Sequence, residues 1–214
     1  MFPSGIRKVK DPLFVLNEML DFLMKNNNHV IILIGAILDK NLYKEILEIV
    51  KNAKLDDKFY IHDVIDHSDF QNALKEVQLV INTSISEGMS NVIMESMLNG
   101  VPVLARSNEG NLKLIKHHYN GLIFTDKEDF SNNLNKFYSS NESALRNQII
   151  ENARKTISEY FGYNTEKKKY EMLFDNVFKN NYIPFEKGNV KLQLYFPTYI
   201  HPFSKENNEI FEVS

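Results

Sequence analysis

The chain has 214 residues, of which 43% are hydrophobic and 25% charged, with a net charge of −3 and no cysteine. This composition argues against a disordered, collagen-like or coiled-coil chain. The charge gives no general attraction to nucleic acid or to an anionic membrane, and the lack of cysteine excludes disulfides and thiolate metal sites.

Two further properties concern the cellular compartment. The longest apolar run, 30–38, is too short to cross a bilayer, and residues 1–10 lack the apolar core of a signal peptide. The lack of cysteine fits a reducing compartment. We therefore expect a cytoplasmic protein without a transmembrane segment.

Strand-like and helix-like patterns alternate over the first 125 residues. Continuous apolar runs rich in β-branched and aromatic residues predict strands at 30–35, 59–61, 79–83, 101–105 and, as a short edge strand, 122–124. Apolar residues at helical spacing predict helices at 12–25, 42–54, 68–77, 91–98 and 111–118. Pro12 is predicted at a first helical position, Ser68 at an N-cap, and Gly100 at a helix end. This alternation predicts a doubly wound parallel sheet that binds ligands at the carboxyl ends of its strands.

The remainder of the chain changes character twice. Residues 128–180 carry apolar stripes at helical spacing and are predicted to be helical throughout. From residue 181 the helical period is lost, and only 190–196 alternates like a strand. We predict one Rossmann-like α/β domain with a helical C-terminal end over 1–180, followed by an irregular tail over 181–214.

One segment is distinguished by its charge. Of the eighteen residues from Gly88 to Ala105 only Glu95 is charged, and it lies in a predicted helix that is apolar nearly all round. A buried carboxylate needs a partner or a polar cleft. Glu87 lies just before this helix, where free backbone N–H groups can bind hydroxyl oxygens or anions. Two carboxylates near the start of one helix are acceptors that can bind neighbouring sugar hydroxyls. The alternative is that Glu87 is an exposed loop acid and that Glu95 is buried and paired with a lysine or arginine.

The segment from Ser86 to Ala105 closely resembles the signature of the family 4 retaining glycosyltransferases of the GT-B fold. Two glutamates with seven residues between them are followed by a Gly-x-Pro-Val strand. The resemblance covers about 5–178, and 5–12 and 103–106 are most similar to glycosyltransferase 1 domain-containing proteins. It implies the C-terminal, donor-binding half of a GT-B fold.

The resemblance also implies roles for individual residues. Glu87 would accept hydrogen bonds from hydroxyls of the donor sugar, while Lys10 would neutralise the donor diphosphate with support from Arg7. These three are the predicted catalytic residues. Because Lys10 and Arg7 would balance the departing charge, neither a metal nor a cofactor is expected. The predicted donor-binding residues are Gly88, Met89, Ser90, Asn91 and Glu95, of which the last would hold the ribose hydroxyls.

Four positions depart from the family's pattern. Arg7 and Lys10 are closer in sequence than the corresponding pair of most members, and the alternative for them is a basic, solvated loop. After the fifth strand, where the family often has Gly-Gly-x-x-Glu, the chain keeps one glycine, Gly110, and has Lys113 where the glutamate is usual. His62 stands where a glycine is usual after the third strand, which leaves base recognition open.

A pair of adjacent histidines, His117 and His118, invites a metal-binding or general-base interpretation. Neighbouring positions do not share one face of a helix, so the spacing is wrong for two metal ligands. Because a helix C-terminus favours cations, we interpret the pair as a cationic helix cap.

The implied activity is transfer of a sugar, of hexosyltransferase type, from a nucleotide diphosphate sugar to a hydroxyl acceptor with retention. A GT-B enzyme has two Rossmann-like domains, and this chain has room for one. We therefore expect a fragment, an incomplete gene model or a short isoform, with an N-terminal domain or a partner chain elsewhere. The alternatives are a non-catalytic nucleotide-sugar-binding subunit, a sugar-nucleotide epimerase, and a subunit that docks through the aromatic helix 165–178.

Overall fold

The computed structural model of the chain describes residues 1–179, without the side chains of 140 and 175–179. Residues 1–167 form one compact unit, and 168–214 belong to a second. The predicted tail at 181–214 and its candidate strand lie outside the described residues, so both stay predictions.

Residues 1–179 contain six strands, all paired in parallel. They are β1 (Phe2–Pro3), β2 (Ile31–Ile34), β3 (Phe59–His62), β4 (Val80–Asn82), β5 (Val103–Arg106) and β6 (Leu122–Phe124). They pair in the orders β1-β2-β3 and β4-β5-β6. The backbone of Met1 joins β1 to the β4 segment, since its carbonyl accepts from Ile81 N at 2.9 Å and its amine donates to Leu79 O at 2.7 Å. The resulting order, 3-2-1-4-5-6, is doubly wound and reverses direction between β1 and β4.

Helices connect the strands and complete the described region. They are α1 (Leu16–Lys25), α2 (Lys40–Asn52), α3 (His67–Lys75), α4 (Asn91–Asn99), α5 (Glu109–Leu114), α6 (Lys127–Tyr138), α7 (Ser143–Phe161) and α8 (Tyr163–Lys179), with short 3-10 turns at Lys8–Lys10 and Ser140–Glu142. None of the helices within residues 1–179 combines the length and the apolar character needed to cross a membrane.

Two hydrophobic cores lie on opposite faces of β4, β5 and β6. Val80 and Val103 belong to one core, with side chains of α4 and α7, whereas Ile81 and Leu104 belong to the other, with α1 and α6. Alternate residues of a strand point to opposite faces, so a strand covered on both sides must be apolar throughout. This confirms the predicted α/β fold with helices on both faces of a parallel sheet.

Three local predictions are corrected. The first helix begins at Leu16, not at Pro12, because 11–16 form successive turns in which Phe14 N donates to Asp11 O and Leu16 N to Leu13 O. The third helix has Asp66, not Ser68, in the N-cap position. The helix predicted at 111–118 spans Glu109–Leu114.

Strand β1 was not among the predicted strands. Its two residues pair with Leu33 and Ile34 of β2, in the middle of the sheet where the two groups of three strands meet. A proline and a phenylalanine carry no periodic pattern, so only the pairing reveals the strand.

Candidate functional site

The sequence-predicted residues Lys10 and Glu87 come together where the strand order reverses. Lys10 follows β1 through the short 3-10 turn, and Glu87 lies in the loop after β4. Lys10 Nζ donates to Glu87 Oε1 at 2.5 Å, although the two residues are 77 positions apart. Crevices at the carboxyl ends of strands, at such a reversal point, are where open α/β sheets bind ligands.

Glu87 is held as a carboxylate by three donors that converge on one oxygen. Ser84 Oγ and Asn82 Nδ2 donate to Oε1 at 2.7 and 3.3 Å, in addition to Lys10. Its side chain is only 13% exposed. Burial raises the pKa of Glu87, but the hydrogen bonds from Lys10 and Ser84 and the lysine's charge outweigh burial and lower the pKa below its ordinary value. The residue is therefore an anion at neutral pH.

The segment carrying Lys10 is fixed to the end of β4 by hydrogen bonds that its backbone carbonyls accept. Thr83 Oγ1 donates to Lys10 O at 2.6 Å, and Ile85 N donates to Val9 O at 2.9 Å. Arg7 lies just before the 3-10 turn and is exposed to solvent. The structure thus brings Lys10, but not Arg7, into contact with Glu87.

The loop between Glu87 and α4 presents backbone to the same region. Gly88 and Met89 are exposed, while Ser90 is buried at the N-cap of α4. The side chain of Ser90 makes no capping hydrogen bond, unlike the caps of α2, α5 and α6. Ser90 therefore does not supply the side-chain acceptor by which an N-cap residue usually satisfies an N–H group of the first helical turn.

Gly110, in helix α5 directly after β5, packs closely against this loop, a role that sequence analysis missed. A Cβ atom added at Gly110 would lie closer than 3.0 Å to the carbonyl oxygens of Glu87 and Gly88, whereas one at Gly88 would meet nothing within 4 Å. Only a residue without a side chain allows this close approach. The signal in the sequence was the glycine that the chain keeps after Glu109.

Glu95 has a separate set of partners. Gln71 Nε2, on α3, donates to Glu95 Oε2 at 2.7 Å, and His67 Nε2 lies 3.4 Å from the same oxygen. Gln71 is itself fixed because its Oε1 accepts from Asn99 Nδ2 at 2.8 Å. Within residues 1–179 the half-buried Glu95 is thus partnered by an amide and an imidazole, and not by a lysine or arginine as in the ion-pair alternative.

The interpretation of His117 and His118 as a cationic helix cap is wrong for His117. Helix α5 ends at Leu114, and His117 Nδ1 accepts a hydrogen bond from Ile123 N at 2.9 Å. Burial, reinforced by the neighbouring His118, lowers the pKa of His117. A neutral ring that accepts from β6 is a structural element of the sheet edge. Within residues 1–179, no group of three or more histidine and acidic side chains is placed to hold a metal ion.

Comparison with known proteins identifies the family. The family model described as glycosyl transferases group 1 matches residues 2–156. The chain belongs to this family. A Xenopus tropicalis relative named glycosyltransferase 1 domain-containing protein 1 is 32% identical over 179 residues, which are 84% of this chain and 50% of that protein. A putative glycosyltransferase of Bacillus subtilis, YtcC, is 21% identical over 194 residues, 86% of this chain and 47% of the relative. The chain thus spans about half the length of these relatives.

Solved structures of GT-B glycosyltransferases share the fold of this group 1 glycosyltransferase chain. The Anabaena HepE structure in complex with UDP-glucose matches with a TM-score of 0.71 at 21% identity, over 81% of this chain and 47% of that one. A glycosyltransferase from Rickettsia africae matches with a TM-score of 0.74 at 22% identity, over 84% and 47%. The C-terminal domain of the Francisella tularensis protein LpcC matches with a TM-score of 0.68 at 21% identity, over 76% and 85%. The chain therefore has the fold of a C-terminal domain of this class.

Proposed function

We propose that this group 1 glycosyltransferase chain binds a nucleotide diphosphate sugar and supports transfer of the sugar to a hydroxyl acceptor with retention, as a family 4 enzyme using a hexosyl donor. The observation that carries the proposal is the Lys10–Glu87 pair at the reversal point of the sheet. The fold neighbour HepE is described in complex with UDP-glucose, so a uridine donor is the first to test.

Lys10 is the proposed cation for the diphosphate. An ammonium group has three donors, and Glu87 takes one of them at 2.5 Å. The others can hold phosphate oxygens while the carboxylate fixes the direction of the group. Negative charge grows on the leaving diphosphate during transfer, and a fixed cation beside it lowers the barrier. The exposed Arg7 adds a second positive charge nearby, and on this proposal neither a metal nor a cofactor takes part.

Glu87 is the proposed anchor for the donor sugar. Lys10, Ser84 and Asn82 all donate to Oε1, and we assign to Oε2 the hydroxyls of the sugar. The lowered pKa keeps this acceptor ionised at neutral pH. Anchoring the sugar beside Lys10 would fix its anomeric carbon relative to the leaving group, which is the contribution of orientation to catalysis. The backbone of Gly88, Met89, Ser90 and Asn91 completes the proposed donor contacts.

Glu95 is the proposed acceptor for the ribose hydroxyls of the nucleotide. Its carboxylate is half-buried and held by Gln71 at 2.7 Å, which fixes its direction. A carboxylate suits a pair of neighbouring hydroxyls because each of its two oxygens can accept a hydrogen bond.

Exposed apolar side chains near the proposed site support the further proposal of a second domain. Large apolar side chains are exposed in the segments that follow five different strands: Val9, Leu38, Val64, Ile85, Met89 and Leu112. Exposed apolar side chains in segments that share one edge of a parallel sheet are typical of an interaction surface. We propose that a second Rossmann-like domain, in the same protein or in a partner chain, covers this edge and binds the acceptor. The alternative is a non-catalytic nucleotide-sugar-binding or partner subunit, since the chain spans only half of its relatives.

Calorimetric titration with UDP-glucose and UDP tests the assignment of the site. Glu87→Ala and Lys10→Ala should weaken UDP-glucose binding, and Glu95→Ala should weaken UDP as well. Glu109→Ala is the matched control, because this acid is exposed and pairs with Lys113, one turn along the same helix. The site is wrongly assigned if none of the three variants binds more weakly while all remain folded. Sugar release or transfer by this chain would reject the non-catalytic alternative, and isomerisation of the donor sugar would indicate an epimerase.

A further inference from the structure

A second ion pair lies beside the Lys10–Glu87 pair. Arg106, the last residue of β5, donates from Nη1 to Asp11 Oδ2 at 2.8 Å. Asp11 is the residue after Lys10 in the chain. The two side chains are 20% and 29% exposed, so the pair is screened less than one at the surface. Arg106 thus connects the end of β5 directly to the segment that carries Lys10.

Two more contacts fix the guanidinium of Arg106. It lies over the ring of Phe14, 3.6 Å from the centroid, and its Nη1 is 3.4 Å from Thr83 O. Phe14 N donates to Asp11 O at 3.1 Å, so both ends of the turn 11–14 touch the same guanidinium. A planar cation can stack on an aromatic ring and bond in its own plane at the same time, which a lysine ammonium does not do.

Asp11 needs such support because its backbone is in the left-handed region, with a φ of 42°. This conformation is uncommon for a residue with a side chain, although aspartate tolerates it better than most. It ends the 3-10 turn Lys8–Lys10, directly after Lys10. The contacts from Thr83 and Ile85 hold the middle of this turn, and Arg106 holds its end.

We propose that Arg106 is a positioning residue for Lys10, acting through Asp11 and the turn between them. Arg106 does not touch the donor; it fixes the backbone from which the Lys10 ammonium reaches the diphosphate. This inference rests on the proposed function of Lys10.

A double-mutant cycle tests the inference with UDP-glucose as the probe. Arg106→Gln should weaken binding about tenfold, the effect of about one charge-assisted contact. In the Lys10→Ala background the same substitution should change binding less than about twofold, because the group it positions is gone. An Arg106 with a merely structural role would weaken binding by an equal factor in both backgrounds, and that result would overturn the inference.

Two further variants sharpen the cycle. Asp11→Asn should reproduce the loss seen in Arg106→Gln and add little to it in the double variant. Arg146→Gln is the matched control, because Arg146 also lies over a phenylalanine ring, that of Phe137 at 5.6 Å, and donates to backbone carbonyls at the end of α6. Its binding of UDP-glucose should equal that of the wild type.

Amide hydrogen exchange on the ligand-free protein decides the inference independently of the proposed function. In Arg106→Gln the amides of Asp11 and Ile85, which bond to Lys8 O and Val9 O, should exchange several-fold faster than in the wild type. Unchanged exchange would overturn the inference. If UDP-glucose fails to bind even the wild type, the proposed function fails, and the exchange rates alone still decide whether Arg106 holds this segment.

Discussion

The close approach of Gly110 to the loop after β4 gives a sharp prediction. In Gly110→Ala the new Cβ would lie 2.7 Å from the carbonyl carbon of Glu87, whereas ordinary contacts begin at 3.4 Å. The atoms that the new Cβ meets belong to the backbone and cannot rotate away as a side chain can. The loop of Glu87 and Gly88 must therefore move by about 1 Å before its two carbonyl oxygens reach an ordinary contact distance from the Cβ. Such overpacking lowers the free energy of unfolding by about 1–3 kcal/mol, which exceeds the stabilisation of about 0.5–1 kcal/mol that alanine usually gives over glycine in a helix.

Thermal unfolding and calorimetry with UDP-glucose measure both consequences of Gly110→Ala. We expect a lower melting temperature and binding weakened about tenfold, because a shift of about 1 Å misplaces the Glu87 carboxylate. Gly5→Ala is the control, since its added Cβ would meet no atom of the described residues closer than 3.5 Å. Wild-type stability and affinity in Gly110→Ala would refute the argument, as would equal losses in the two variants.

Three further predictions concern titratable and polar side chains. Because the pKa of Glu87 is lowered in the folded chain, its ionisation contributes to the free energy of unfolding above about pH 4.5, and this contribution is lost as the pH falls through the lowered pKa. Urea unfolding at a series of pH values should show this loss in the wild type but not in Glu87→Gln. The lowered pKa of His117 means that the unfolded chain takes up the proton more readily than the folded chain below about pH 6.5, so the free energy of unfolding should fall between pH 7 and pH 5. This fall should be smaller in His117→Asn, whose amide oxygen can replace the imidazole nitrogen as the acceptor for Ile123 N. Gln71→Ala removes the hydrogen bond that holds Glu95, so it should weaken the binding of UDP and of UDP-glucose by the same factor, about three- to tenfold. Asn72→Ala, which is exposed on the same helix, should change neither affinity. Unequal factors for the two ligands would contradict the ribose assignment.

Much of the fold could be predicted because the central strands are covered on both faces. Val103 and Leu104 point into different cores, so the sequence of β5 is apolar without alternation. Helix ends were harder, since Asp66 and Ser68 are both good N-cap residues and local sequence does not choose between them. Strand β1 exists only through its pairing with β2, which no local pattern encodes.

The candidate site was predictable to the extent that it is contiguous. Glu87 and Glu95 share one segment whose charge pattern singles them out, whereas Lys10 was found only through a family resemblance. Gln71 and Arg106 act through contacts with residues 24 and 95 positions away, and a single sequence gives no sign of such contacts. Their roles could be recognised only from the folded chain.

A crystal structure of the chain grown with UDP-glucose would show whether the Lys10–Glu87 pair is the donor site. We expect diphosphate oxygens within hydrogen-bonding distance of Lys10 Nζ and a sugar hydroxyl on Glu87 Oε2, with Lys10 still bonded to Oε1. UDP-glucose bound elsewhere on the chain, with the Lys10–Glu87 pair left unchanged, would contradict it.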